Sequence, residues 1–199
     1  MPRDKASPVR PWESVGIPTA QKVIRMIQEV TGDILKTRAQ AIAHGVAPND
    51  DFHTGLALSL REHAPALYKD FRHFCQSTHP KSGGLWTWTG SDGRRIVNLF
   101  TQEGVEGHHG GKPGKASLQH VGDALKSLRA EIDDQRIASI AIPRLATGVG
   151  GLDWADVQPL VREYLADAGI PVIVYTTFKA GVAADEVLRQ PELTAERAH

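Results

Sequence analysis

The chain has 199 residues, 23 basic and 23 acidic side chains, and one cysteine. The balanced charge argues against a protein that mainly coats nucleic acid or an anionic membrane. A single cysteine excludes an internal disulfide and a multi-cysteine metal site. No run approaches the roughly 18 apolar residues of a membrane helix, and the N-terminus lacks the apolar stretch of a signal peptide. We therefore expect a soluble cytoplasmic protein that does not contact a membrane.

The pattern of the chain divides it into three regions. Residues 1–21 are rich in proline and scattered charge, which predicts an extended N-terminal arm. Residues 22–178 carry regular apolar patterns and predict one folded domain. Residues 179–199 are polar and rich in alanine and glutamate, which predicts a C-terminal tail, either a frayed helix or disordered.

The first half of the domain predicts two strands, two helices and a hairpin. A strand ends near Val30, and the apolar run "QAIAHGV" forms a second strand that ends at His44-Gly45. Apolar residues at helical spacing follow in "TGLALSLREHAPALYKDFRHFCQSTH", with Pro65 dividing two helices. The runs "GLWTWTG" and "RRIVNLFT" flank "SDG", which is typical of a β-hairpin.

The second half alternates helix, strand, helix and strand. "KASLQHVGDALKSLRAEI" predicts a helix, "IASIAIP" a buried strand, residues 154–168 a helix and "IPVIVYTT" a final strand. This alternation predicts an α/β fold with a largely parallel sheet covered on both faces. Ligands of such sheets bind at the carboxyl ends of the strands. Three segments meet there: "HGVAPNDDFHTG", "TQEGVEGHHGGKPGK" and "RLATGVGG".

The segment "RLATGVGG" lies between a buried strand and a helix. Glycine lets the backbone approach a ligand closely, and N–H groups at a helix start form an anion site. A phosphate or diphosphate is the natural occupant of such a loop. The alternative is a tight turn that holds no ligand.

Three motifs, in order and at matching spacing, resemble a macro domain. They are "TGDIL" (31–35), "AIAHGVAPNDDFHTGLALSL" (41–60) and "IPRLATGVGGLDWADV" (142–157). The likeness is to the branch that holds the terminal ADP-ribose protein glycohydrolase and the antitoxin that removes ADP-ribose from thymidine in DNA. It covers about residues 22–178. The resemblance implies a three-layer α/β/α fold with a mixed, largely parallel central sheet that binds ADP-ribose in a cleft.

The resemblance also implies the ligand contacts. Asp33 matches the aspartate that receives the adenine amino group, and Ile34 supplies a backbone N–H. Gly55 matches the glycine beside the distal ribose and phosphate. The loop that matches the diphosphate-holding loop comprises Thr147, Gly148, Val149, Gly150 and Gly151, and the candidates to pack on the adenine are Tyr175 and Phe178.

One position departs from the pattern that the resemblance implies. Aligning "VNLFTQE" puts Gln102 where the glycohydrolases of this branch carry a catalytic lysine. Glutamine can form hydrogen bonds, but it cannot form an imine or act as a general base. The candidates to assist a water instead are Asp51, in the first loop, and Glu103, beside Gln102. Asn49 is a ligand-binding candidate in the same first loop, although it and its acidic neighbours are also ordinary turn residues.

Two main functions follow from these residues. The first is hydrolysis of an ADP-ribosyl linkage on protein or nucleic acid, with water attacking the distal ribose. The second is a non-catalytic reader of ADP-ribose or a related NAD-derived nucleotide, which Gln102 favours. A third possibility is an interaction module that binds no nucleotide. We expect a monomer with no cofactor. We also expect no metal, because adjacent histidines such as His108 and His109 do not usually point at one ion and no cysteine is near them.

Overall fold

The computed structural model describes residues 27–104 and 113–188. The strands within these ranges are β1 (Ile27–Gly32), β2 (Ala41–Val46), β3 (Leu85–Thr89), β4 (Arg95–Phe100), β5 (Ile140–Pro143) and β6 (Val172–Phe178). They form one sheet in the order β1-β6-β5-β2-β4-β3. Each neighbouring pair is parallel except β3 with β4, which is antiparallel. The predicted mixed, largely parallel sheet is therefore confirmed.

Helices cover both faces of this sheet. Those within the described ranges are α1 (Gly55–His63), α2 (Pro65–Thr78), α3 (Leu118–Asp134) and α4 (Trp154–Leu165), and a 3₁₀ turn spans Ile34–Lys36. The apolar sides of α1 and α2 pack on one face, where Leu60 and Phe71 are buried. The apolar sides of α3 and α4 pack on the other face, where Leu125 and Val161 are buried. The three-layer α/β/α prediction is confirmed.

Local signals explain where the helices begin. Pro65 stands in the first turn of α2, where its missing N–H needs no partner, and this confirms the predicted division from α1. Ser117 caps α3, because its side chain accepts a hydrogen bond of 3.1 Å from the His120 N–H. Strand ends differ from the prediction by one or two residues. β1 continues past Val30 to Gly32, because it goes on pairing with β6 across a register shift, and β2 continues past Gly45 to Val46, which pairs with Phe100 of β4.

The parallel strands carry the three predicted loops to one edge of the sheet. The segments after β2, β4 and β5 all leave from carboxyl ends, as the register of these neighbouring strands shows. Residues 105–112 of the middle segment, with the His108-His109 pair and Lys112, lie outside the described residues. The rest of this edge forms the walls of the cleft described below.

Residues 179–188, here called the C-terminal strap, pack against the domain. The Lys179 N–H donates to the Gly32 carbonyl at 3.0 Å, and the Glu186 side chain is 1% exposed. The structure therefore adds these ten residues of the predicted tail to the packed unit. The arm at residues 1–21 and the end of the tail at 189–199 lie outside the described residues, so the three-part division stays a prediction.

Candidate ligand cleft

A cleft with two compartments runs along the carboxyl ends of the strands. The first compartment has a volume of about 410 Å³ and holds Asp33 and Tyr175 in its wall. The second has a volume of about 210 Å³ and is walled by the glycine-rich loop that follows β5. Both share the lining residues Gly55, Leu56 and Pro143, so they are continuous. We call them the Asp33 compartment and the glycine-loop compartment.

Asp33 lies in the wall of the Asp33 compartment with its carboxylate fixed by two backbone donors. Its Oδ1 accepts from the Leu35 N–H at 3.1 Å, which caps the 3₁₀ turn. Its Oδ2 accepts from the Gly181 N–H of the C-terminal strap at 2.9 Å. Each carboxylate oxygen has a second lone-pair site, so the group can still accept a hydrogen bond from a ligand. Asp33 therefore caps the 3₁₀ turn and can still serve the predicted role as a ligand contact.

Two aromatic side chains stand at the same compartment. Tyr175 is buried, and its hydroxyl donates to the Glu186 carboxylate at 2.7 Å. Burial and this hydrogen bond raise the pKa of the Tyr175 hydroxyl, so it stays protonated. Phe178 is 74% exposed at the rim, where its face is free to stack on a planar ligand. Ile34 is buried in the wall beside Asp33.

The loop of residues 144–151 has a backbone shape closed by its own hydrogen bonds. The Thr147 hydroxyl donates to the Arg144 carbonyl at 2.9 Å, and the Gly151 N–H donates to the Gly148 carbonyl at 3.1 Å. The Leu152 N–H donates to the Ala146 carbonyl at 3.0 Å. Within the described parts of the chain, no acceptor receives a hydrogen bond from the N–H groups of residues 147–150. Four successive donors are thus available in this loop, and three of them belong to residues that line the cleft, Gly148, Val149 and Gly150.

Glycine stands at two positions of this loop for different physical reasons. A Cβ at Gly150 would lie 2.6 Å from the Ala146 carbonyl oxygen, so this position admits only glycine without a backbone shift. A Cβ at Gly148 would meet nothing within 4 Å, because this position faces the open cleft. Gly150 therefore sets the shape of the loop, and Gly148 leaves room for a ligand. Thr147 and Gly151 belong to the same loop but do not line the compartment.

Gln102, which the resemblance aligns with a catalytic lysine, lines the glycine-loop compartment. It is 4% exposed, and its Nε2 donates to the Gly114 carbonyl at 3.2 Å. Its backbone carbonyl accepts a hydrogen bond from the Ser82 hydroxyl at 2.8 Å. The Gln102 side chain is therefore a neutral group held by the Gly114 carbonyl, at the position that the resemblance aligns with a catalytic lysine.

The two adjacent acidic residues of the first loop, Asp50 and Asp51, differ in their position relative to the cleft. Asp51 Oδ2 lies 2.8 Å from His53 Nδ1, and Asp51 lines neither compartment. Its neighbour Asp50 is buried and lines the glycine-loop compartment. The Asp50 carboxylate accepts from the N–H groups of Phe52 at 2.8 Å and Ala47 at 3.2 Å. Burial raises the pKa of the Asp50 carboxyl, and these two hydrogen bonds offset part of that rise.

Two further candidates lie away from the cleft. Asn49 has a positive φ of 65° and lines a separate recess with Cys75 and His79. Glu103 is exposed, and its backbone exchanges hydrogen bonds with the segment of Lys115 and Gly114. Neither residue lines either compartment. A ligand role for Asn49 and a catalytic role for Glu103 stay predictions without support from this geometry.

The sequence reasoning did not include His44 among the site residues. This histidine is 2% exposed, lines the glycine-loop compartment, and its Nε2 donates to Asn98 Oδ1 at 2.8 Å. The Asn98 amide group donates to the Trp86 carbonyl, which leaves Oδ1 as the acceptor and sets the histidine tautomer. Burial lowers the pKa of His44 to about 4, so the ring is neutral at pH 7. The sequence signal for His44 was a histidine within an apolar strand, close to the carboxyl end where ligands bind.

Metal and membrane sites were also sought among the described residues. None of their His, Cys, Asp and Glu side chains form a group of three or more that could hold a metal ion. No helix in the described part of the chain combines the length and the apolar character needed to cross a membrane.

The structure is an α/β domain with a cleft at the carboxyl ends of its strands, and comparison with known proteins shows its family. The macro domain family model matches residues 53–161, and the chain belongs to the macro domain family. The solved macrodomain of Thermus aquaticus DarG superposes with a TM-score of 0.66 at 28% identity, covering 76% of this chain and 98% of that one. A Thermosipho africanus DarTG structure in complex with ADP-ribose gives a TM-score of 0.67 at 22% identity, covering 80% of this chain and 43% of that one, a likeness of fold.

The curated relatives carry the name of an enzyme. The chain is 28% identical over 179 residues to a DNA ADP-ribosyl glycohydrolase of Thermus aquaticus, which covers 87% of this chain and 48% of the relative. It is 29% identical over 154 residues to a DNA ADP-ribosyl glycohydrolase of Mycobacterium tuberculosis, covering 75% of this chain and 42% of the relative. The chain thus spans less than half the length of these relatives.

Proposed function

We propose that this macro domain binds ADP-ribose in the cleft. The observation that carries the proposal is the set of four N–H groups at residues 147–150 with no acceptor among the described residues. Successive free N–H groups before a helix form a concave site for an anion, and a diphosphate fits their number. The Asp33 carboxylate, in the adjoining compartment, suits an adenine amino group, and the exposed ring of Phe178 suits the adenine face. The distal ribose then falls in the glycine-loop compartment.

We further propose that the domain releases ADP-ribose from a modified macromolecule, either protein or DNA. The likeness to the DNA ADP-ribosyl glycohydrolases supports this reaction and makes DNA the first substrate to test. A water would attack the anomeric carbon of the distal ribose, break its bond to the acceptor group and pass its proton to a base. Gln102 is neutral and held by the Gly114 carbonyl, so it cannot accept this proton. The candidates for the general base are therefore a carboxylate of the first loop and that of Glu103. Asp50 joins Asp51 as a candidate because it lines the compartment.

The second candidate function is a reader that binds ADP-ribose without cleaving it. One observation favours it: Gln102, which the resemblance aligns with the catalytic lysine, lines the glycine-loop compartment, and its side-chain nitrogen donates to the Gly114 carbonyl. Among the described residues, the lining of this compartment offers hydrogen bonds to ribose hydroxyls but no lysine amine.

Two measurements test these functions in order. Titration calorimetry with ADP-ribose should give a dissociation constant in the micromolar range, which corresponds to a binding free energy of about −7 to −9 kcal/mol. The absence of both heat and a thermal shift would make the binding proposal wrong. Release assays should then use ADP-ribosylated thymidine in DNA, ADP-ribosylated glutamate and O-acetyl-ADP-ribose. Release from any of them supports the hydrolase, and tight binding with all three intact supports the reader.

We also propose that the protein is a monomer that acts in the cytoplasm, because a reducing compartment suits the free and buried thiol of Cys75. Light scattering coupled to size exclusion would measure the mass in solution.

A further inference from the structure

The C-terminal strap lies outside the three motifs and is hydrogen-bonded to Asp33, which lines the cleft. The Asp33 N–H donates to the Val182 carbonyl at 2.7 Å, and the Gly181 N–H donates back to Asp33 Oδ2 at 2.9 Å. These two bonds fix both the backbone of Asp33 and the direction of its carboxylate. The aim of the carboxylate therefore depends on the position of the strap.

A buried glutamate anchors this strap. The Glu186 carboxylate is 1% exposed and accepts from the Thr37 hydroxyl, the Tyr175 hydroxyl at 2.7 Å and the Arg38 N–H at 2.9 Å. The Arg38 guanidinium also donates to the Glu186 carbonyl at 2.9 Å. Hydrogen bonds to a buried charged group are strong, and an unsatisfied buried charge is costly. Glu186 thus joins the strap to β6 and to the segment that follows the 3₁₀ turn.

Gln28 fastens the strap on either side of this anchor. Its Nε2 donates to the Asp185 carbonyl at 2.9 Å, and its Oε1 accepts from the Val187 N–H at 2.9 Å. The Asp185 side chain is exposed, and no hydrogen bond or ion pair of that side chain occurs within the described residues. The chain therefore offers a matched control, because Asp185 and Glu186 are adjacent acids of which only one is built into the site.

We propose that Glu186 is a positioning residue that sets base specificity: it holds the strap that aims the Asp33 carboxylate at the exocyclic amino group of adenine. This inference rests on the proposed binding of ADP-ribose. It predicts that loss of the anchor changes which base is preferred, beyond any general loss of affinity. If Glu186 served only the stability of the fold, its loss would weaken the binding of all ligands by the same factor.

The test compares ADP-ribose with inosine diphosphate ribose, whose hypoxanthine lacks the amino group. The unaltered protein should bind ADP-ribose at least about tenfold more tightly, the scale of one charge-assisted hydrogen bond. In Glu186→Ala this preference should narrow to about threefold or less, and in Asp185→Ala it should stay unchanged. A double variant, Glu186→Ala with Asp33→Ala, should show no further loss of preference beyond that of Asp33→Ala alone.

Conservative variants keep the test decisive if Glu186→Ala does not fold. Thr37→Val removes one donor to Glu186 without touching either compartment, and Glu186→Gln keeps an acceptor for Thr37 and Tyr175. Both should show a partial narrowing of the preference. A folded anchor variant that keeps the full preference would overturn the inference, and so would equal binding of both ligands by the unaltered protein. No binding of ADP-ribose at all would instead remove the proposed function.

Discussion

His44 and Asn98 are joined by a buried hydrogen bond of 2.8 Å from the His44 Nε2 to the Asn98 Oδ1. The pair lies on neighbouring parallel strands, since His44 is in register with Asn98 across β2 and β4. Both side chains are buried, and His44 forms no ion pair with any of the described residues that would favour its charged form. The histidine is thus held neutral at the wall of the glycine-loop compartment.

The first prediction is a loss of stability in mild acid. The folded pKa of His44 is about 4 and its ordinary value is 6.5, so between these values the unfolded chain binds more protons at this site. Stability should therefore fall as the pH falls from 6.5 to 4, by about 3 kcal/mol for this residue alone. Urea unfolding measured across this pH range gives the slope. His44→Gln should flatten it, whatever the stability of the variant at pH 7.

The control for this prediction is Ile42→Val, which trims a buried side chain of the same strand and removes no titrating group. It should lower the stability by a similar amount at every pH and leave the slope between pH 4 and 6.5 unchanged. An unaltered slope in the His44 variant would mean that other groups govern the acid response.

The second prediction concerns Asp33. Asp33→Ala should weaken ADP-ribose binding by about 1–3 kcal/mol, the scale of a lost charge-assisted hydrogen bond. Calorimetry measures the loss, and thermal unfolding of the free variant shows whether the fold persists without the cap on the 3₁₀ turn. Binding as tight as in the parent would show that Asp33 is only a cap.

The third prediction concerns the glycine loop. Gly148→Val should weaken binding at least about tenfold, because its side chain fills the space in front of the free N–H groups. The fold should persist, since a Cβ there meets no atom within 4 Å and the φ of Gly148 is not in the left-handed region. Val149→Ala is the control in the same loop: it trims an exposed side chain, keeps the N–H, and should bind as the parent does. A Gly148 variant with full affinity would reduce this loop to a turn.

The fourth prediction separates the acids. If the domain is a hydrolase, removing its general base should slow release of ADP-ribose by about a hundred- to ten-thousand-fold while binding persists. We expect this loss in one of Asp50→Asn, Asp51→Ala and Glu103→Ala, measured on the best substrate at saturation. Borohydride should trap no covalent adduct, because no imine can form at Gln102. An adduct would exclude a water-based mechanism and point to a lysine such as Lys112 or Lys115.

The sequence alone determined the fold and the main features of the cleft. Strand and helix periods, with Pro65 between α1 and α2, specify the α/β/α layers because they depend on local backbone preference and on which side chains avoid water. The glycine loop after β5 was predictable for the same reason: glycine at a strand–helix junction reports a backbone requirement. Gly150 shows this most clearly, since a Cβ there would meet the Ala146 carbonyl oxygen at 2.6 Å.

Only the tertiary structure decided which of several similar side chains enters the cleft. Asp50 and Asp51 are adjacent and chemically identical, yet one is buried at the cleft wall and the other pairs with His53. Glu186 and Asp185 are likewise adjacent acids, and only Glu186 meets Thr37 and Tyr175, from 149 and 11 residues away. Such choices rest on contacts between distant segments, which no local pattern encodes. Burial and partner donors appear only when the strands and the strap come together.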